Sequence, residues 1–180
     1  MRARLLVSAA LLVLPAMAAP KAHADDALRE RIVTLLSAYE GVNDPAIWRG
    51  LGPESETLAQ LVALYNDGDQ PGFVRLRAVG AAAHFPSPAA RTFFRAVASQ
   101  AGQGDLFVRQ AVASMARAFG DAALEDVEPY LAHRETIVRE TAAQALGAMR
   151  IARARTLLES RLRIERDQVV RTALSRALRR

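Results

Sequence analysis

The sequence predicts an all-α protein, an α-solenoid of stacked antiparallel helix pairs, and three observations predict it. One pattern recurs four times in register, at FVRLRAVGAAAHF (Phe73–Phe85), FVRQAVASMARAF (Phe107–Phe119), ETIVRETAAQALGAM (Glu135–Met149) and VVRTALSRAL (Val169–Leu178). Within each copy the apolar residues fall at helical spacing. Turn signals then separate each copy from a second apolar-periodic stretch.

Taking the valine of each Val-Arg pair as zero gives Val74, Val108, Val138 and Val170, spaced 34, 30 and 32 residues apart. Offset 4 holds Ala78, Val112, Ala142 and Leu174; offset 8 holds Ala82, Ala116, Leu146 and Leu178; offset 11 holds Phe85, Phe119 and Met149. Offsets of three and four residues stack on one face of a helix, so each copy is a helix with one buried stripe. Small residues dominate the middle of that stripe and let another helix come close. Asp105, Glu135 and Asp167 stand three residues before three of the valines, where Pro71 stands in the first copy. A carboxylate there accepts orphan backbone N–H groups and suits the helix dipole, so these residues are expected to be caps.

A second helix follows each first one. Its apolar positions are Ala90, Phe93 and Val97, then Leu124, Val127 and Leu131, then Ala154 and Leu157 with Arg161 in the third place and Leu162 taking over. Leu58, Leu61 and Tyr65 occupy the same places one repeat upstream. Pro129 is expected to kink its helix or mark a late start. A lone helix pair buries too little to offset its ordering entropy, and stacking neighbours supplies the rest.

Three regions follow. Residues 1–24 read as a secretory signal peptide, with Arg2 and Arg4 before an apolar core at Leu5–Leu14. Ala16-Met17-Ala18 and Ala22-His23-Ala24 compete as cleavage sites, and the second is favoured by the acidic helical run from Asp25. Residues 25–69 read as N-terminal capping helices with an irregular linker. One amphipathic helix spans Asp26–Glu40, with Leu28, Ile32, Leu35, Leu36 and Tyr39 on one face, and another spans Glu54–Asn66. The linker Gly41–Gly52 carries the single tryptophan, Trp48, either as a plug over the end of the stack or as an aromatic recognition loop. Residues 70–180 form the repeat array.

At the V-R-x-x-A-A-x-A-L-G run, best developed in Val138–Gly147, the chain resembles the HEAT-repeat family, in particular the short HEAT-like repeats of the phycobilisome-lyase type. That resemblance implies second helices on the concave face and first helices on the convex one. It also implies that Arg75, Arg109, Arg139 and Arg171 pair with acidic residues of neighbouring repeats. The expected function is a non-enzymatic, exported scaffold that binds another protein through its concave face. Arg91, Arg95, Glu125, Asp126, Tyr130, Arg155 and Glu159 are expected there, a mixed-charge surface suited to protein recognition.

The absence of cysteine excludes disulfides, thiol chemistry and a lipoprotein anchor. Beyond residue 24 only His84 and His133 remain, neither at metal-ligand spacing, and no catalytic, metal or cofactor residue is assigned. Deoxyhypusine hydroxylase, an enzyme class with HEAT-like repeats, binds two irons through His-Glu pairs. Here Phe85 follows His84 and Arg134 follows His133, so that pattern is missing. Asp67–Gly72 opens like a calcium loop but has Pro71 at position five and Ala78 at position twelve.

The net charge of +5 falls to +2 once Arg2, Arg4 and Lys21 are removed, leaving 21 basic against 19 acidic residues. Residues 25–138 hold 10 arginines against 15 acidic residues, and residues 139–180 hold 11 against 4. The alternative function is therefore an anionic lipid, envelope-polymer or, less well matched, nucleic-acid binder using Arg153, Arg155, Arg163 and Arg166 in that basic third.

Overall fold

The computed structural model describes residues 19–38, 44–100 and 104–180, and all their regular structure is helical. The apolar run and first candidate cleavage site of the expected leader lie outside the described residues, as do Tyr39 and Gly41. The second candidate cleavage site, Ala22–Ala24, falls inside α1 (Ala19–Ser37). After α1 come α2 (Pro45–Arg49), α3 (Glu54–Asn66), α4 (Gly72–Ala81, continued by a 3-10 turn Ala82–His84) and α5 (Pro88–Ser99). Next are α6 (Asp105–Phe119), α7 (Leu124–Val127), α8 (Thr136–Gly147), α9 (Ala152–Ile164) and α10 (Gln168–Leu178). No helix among the described residues is long and apolar enough to cross a membrane.

The Val-Arg helices α4, α6, α8 and α10 bury the predicted stripe, with Val74, Ala78, Val112, Ala142, Leu146 and Leu174 essentially inaccessible. Each packs on the next along its length, α4 on α6, α6 on α8 and α8 on α10. Alanine and glycine at the contacts permit this. A methyl group added at Gly147 would collide with the Ala177 side chain and lie 2.9 Å from its Cα. Among the described residues no comparable backbone approach links α3 to α5, α5 to α7 or α7 to α9.

Two layers of unequal spacing curve toward the tighter one, so the Val-Arg helices line the inner face and the second helices splay along the outer face. This corrects the assignment of faces implied by the family resemblance. The small residues decide it, because they bring backbones together on one side only.

Pro129 disrupts the third outer element. Without an N–H, and with its ring against the preceding turn, it cannot extend an α-helix. Residues Gly120–Ala132 accordingly form a 3-10 turn, the single turn α7 and a second 3-10 segment, Glu128–Ala132. Leu124, Val127 and Leu131 are still buried. Gly120, at φ 53°, makes the reversal that ends α6.

The caps are used unevenly. Asp167 accepts from Val169 N at 2.9 Å and Val170 N at 3.3 Å. Asp105 instead sits in the first turn behind Gly104, and Glu135 makes no side-chain capping bond. The arginine ladder differs more sharply from expectation. Arg75 donates to Tyr65 O at 2.8 Å, Arg139 to His133 O at 2.8 Å and Arg134 O at 2.7 Å, and Arg171 to Glu165 O at 2.9 Å and Leu162 O at 3.1 Å. These arginines cover the carbonyl end of the preceding outer element, where a cation meets unpaired acceptors and the negative end of a helix dipole.

Of Arg75, Arg109, Arg139 and Arg171, only Arg139 pairs with a carboxylate among the described residues, that of Glu165, whose side chain is 4% exposed. Glu165 accepts from Arg139 Nε at 3.0 Å, from Arg161 Nη2 at 2.6 Å, and from the backbone N–H groups of Arg166 and Asp167 at 3.0 Å each. This explains Arg161 at a core-facing position, with Leu162 partly buried beside it. Burial pushes the Glu165 carboxyl up, but the Asp167 N–H, the Arg161 and Arg139 hydrogen bonds and the Arg161 charge outweigh it and hold it at about 2 against an ordinary 4.5.

At the other end the linker is partly helical: Asp44 accepts from Ala46 N at 2.8 Å to open α2. Trp48, 2% exposed, is core, stacked on His84 with centroids 5.9 Å apart and planes 12° from parallel. Its burial fits the plug and not a recognition loop. Arg77 donates to Leu36 O and Ala38 O at the end of α1, and Arg29 bonds Asp67 at the end of α3.

Two outcomes are expected. Gly147→Ala should destabilise the protein by about 1–3 kcal/mol despite alanine's better helix propensity, read as a fall in the thermal midpoint. Because folding lowers the Glu165 pKa, its contribution is complete above about pH 4.5 and is lost as pH falls through about 2. Acid titration of stability should show a loss on the order of 3 kcal/mol across that window, and Glu165→Gln should flatten it.

Candidate binding groove

Splaying of the outer layer leaves a gap between each pair of outer elements. The gap between α3 and α5 is an open trough of about 1290 Å³ running the length of both helices. The Tyr65 hydroxyl donates to Gln100 Oε1 at 2.9 Å, which joins the C-terminal ends of the two helices and sets them parallel. Leu58, Tyr65, Phe85, Phe93 and Val97 form its floor, and Ala59, Val62, Ala89, Thr92 and Ala96 its walls. Tyr65 lies edge-on to Phe93 at 5.3 Å and to Phe107 at 5.9 Å, and the Arg75 guanidinium lies over Tyr65 and Phe107.

The trough carries one charged lining residue, Glu54 at its N-terminal end. The next gap is closed by charge. Asp126, with a side chain 4% exposed, accepts from Arg91 Nε at 2.7 Å and from Arg95 Nε at 2.5 Å. Arg91 also donates to Ala122 O at 2.6 Å and lies over the Phe119 ring. The gap after that is bridged by Arg153, 2.9 Å from Glu128 and 3.7 Å from Glu125.

Repeat numbering explains the difference. Arg91 stands 17 residues after its valine and Asp126 stands 18 after the next. In the α3–α5 gap those two places hold Ala59 and Thr92. The link that closes the following gap is replaced here by a methyl and a small hydroxyl side chain.

The residues expected to form a recognition surface are therefore divided. Arg91, Arg95 and Asp126 do come together, bonded to one another, with one Asp126 oxygen accepting from each arginine. Glu125 is 79% exposed and faces Arg153. Tyr130 is half-buried beside His133, and burial, with the Asp126 charge, raises its phenol pKa. Arg155 and Glu159 form a separate exposed pair along α9 at 3.0 Å. The basic third is partly spent as well, with Arg139, Arg153, Arg155, Arg161 and Arg171 all engaged within the protein.

Ala59, Val62, Thr92 and Ala96 were absent from the sequence expectation. The signal for them was the alanine at offset 17 of the first outer helix, where later repeats carry Arg91, Glu125 and Arg155. On the opposite, inner face Phe73, Leu106, Ile137 and Val169 are exposed, one large apolar side chain from the first turn of each Val-Arg helix. Among the described residues no cluster of three or more His, Asp or Glu is arranged to hold a metal ion.

Residues 102–179 match the family model for HEAT repeats, which covers α6 to α10 and stops short of the trough. No curated protein gives a match to the chain. If the Arg91–Asp126–Arg95 link is structural, Asp126→Ala should cost about 1–3 kcal/mol by leaving two guanidiniums without their acceptor. Denaturant titration measures it, and an unchanged midpoint would show the link to be superficial.

Proposed function

We propose that the chain is an exported, non-enzymatic scaffold holding a protein partner in the α3–α5 trough, a reading supported by the HEAT-repeat match over residues 102–179. The observation that carries this reading is the trough itself: a long apolar surface left open in a gap where the next repeat has a salt link. A concave, mainly apolar surface with a few polar groups at its ends is the usual form of a binding site. HEAT repeats supply the class of function, protein recognition on a rigid helical frame. Export rests on the leader, with Arg2 and Arg4 before Leu5–Leu14.

A photo-crosslinking amino acid in place of Ala96, in the full chain expressed in its own host, tests the site. A discrete protein adduct through this position, absent when the same residue replaces exposed Arg163, is expected. No adduct would overturn the scaffold reading. The double variant Ala59→Arg, Thr92→Asp supplies the missing link and is expected to close the trough. It should keep or raise the thermal midpoint while lowering partner capture at least about tenfold, the loss of roughly 1.4 kcal/mol of binding.

A further inference from the structure

Resting on the reading of the trough as the partner site, we infer that its occupant is an amphipathic α-helix of the partner, lying antiparallel to α3 and α5 with a basic residue of its last turn against Glu54. Length, surface and charge each point this way.

The trough is bounded by helices of 13 and 12 residues, hence roughly 18–20 Å long, which corresponds to about three and a half helical turns. Its walls are smooth because their exposed positions carry small side chains, Ala59 on one side and Ala96 on the other, which allow a helix backbone to come close. Among the described residues it offers no ladder of unpaired backbone groups along its length. Both walls are helices whose N–H and C=O groups, away from the first and last turns, are already bonded along the helix. An extended strand laid here would bury its own amides without partners, at a cost a helix avoids by bonding internally. The open width also differs from an enclosed tunnel for a lipid chain, and the single carboxylate at one end disfavours an anionic head group there.

Charge fixes the direction. Parallel α3 and α5 place their positive dipole ends beside Glu54 and their negative ends beside Gln100. An antiparallel guest helix sets its own dipole against both. A basic side chain in its last turn then complements its own C-terminus and faces Glu54.

The test uses the full chain and three fluorescent synthetic peptides of about four turns. One carries leucines at i, i+4, i+7 and i+11 on an alanine–glutamine background with a single arginine in its last turn. The second has that arginine in its first turn, and the third has a central proline. Anisotropy should show the first binding, the second about two- to fivefold weaker, as a lost exposed ion pair allows, and the third at least about tenfold weaker. Glu54→Gln should remove the difference between the first two, and NMR shifts should map to Ala59, Thr92 and Ala96. Equal binding of the proline peptide, shifts elsewhere, or no binding by any peptide would overturn the helix. If the Ala96 crosslinker still captures a protein when the peptides fail, the scaffold reading stands and only the helical guest falls.

Discussion

The close approach of α4, α6, α8 and α10 is the constraint from which the rest of this molecule follows. A stripe of alanine, glycine and valine lets consecutive inner helices meet along their length, and at Gly147 the backbone of α8 comes so near Ala177 that no side chain fits between them. Dispersion gains at such contacts are small per atom and large in sum. The same proximity sets the curvature, and curvature separates the outer helices. The gaps between them are then a necessity of the packing, to be filled, bridged or left open.

Arginine does most of the bridging. Its planar, multi-donor head reaches two or three acceptors at once, which suits the ends of outer helices where several carbonyls lack partners. Arg139 shows the full use of that geometry, bonding two backbone carbonyls and the Glu165 carboxylate together. Glu165 in turn is satisfied by two guanidiniums and two backbone N–H groups, and among the described residues no buried side-chain polar atom is left without a partner. An ion pair so enclosed would be costly if half-made. Here both carboxylate oxygens are used, and the knot ties the end of the last outer helix, α9, to α8.

How much of this could be read beforehand divides along a physical line. The Val-Arg helices, their buried stripes and the bounds of α3 were legible because helical spacing and turn residues are local properties of the chain. The targets of the arginines were not, because a backbone carbonyl has no letter in the sequence and only carboxylates advertise themselves as partners. The face that curves inward was misread for a related reason: relative spacing of the two layers is a property of pairs of helices, not of any one. Asp126, Arg91 and Arg95 were expected on one recognition surface, and spacing along the chain could not show that they bond to one another. The trough was legible in principle, since aligning the repeats sets Ala59 and Thr92 against an arginine and an aspartate. Finding it required asking which position lacked a charge, whereas charged residues drew the attention.

The hydrogen bond from Tyr65 to Gln100 has a mechanical meaning. It pins the outer helices at one end of their gap, and among the described residues no such bond ties the Glu54 end, so the two helices form the arms of a pair of tweezers whose pivot is an aromatic cluster. Relative rotation of the first two repeats, small at the inner stack, is amplified along those arms. In the proposed complex a guest seated between the tips would act as a wedge with leverage over the bend of the whole array. Conversely, any force that straightens or tightens the array changes its grip on that guest.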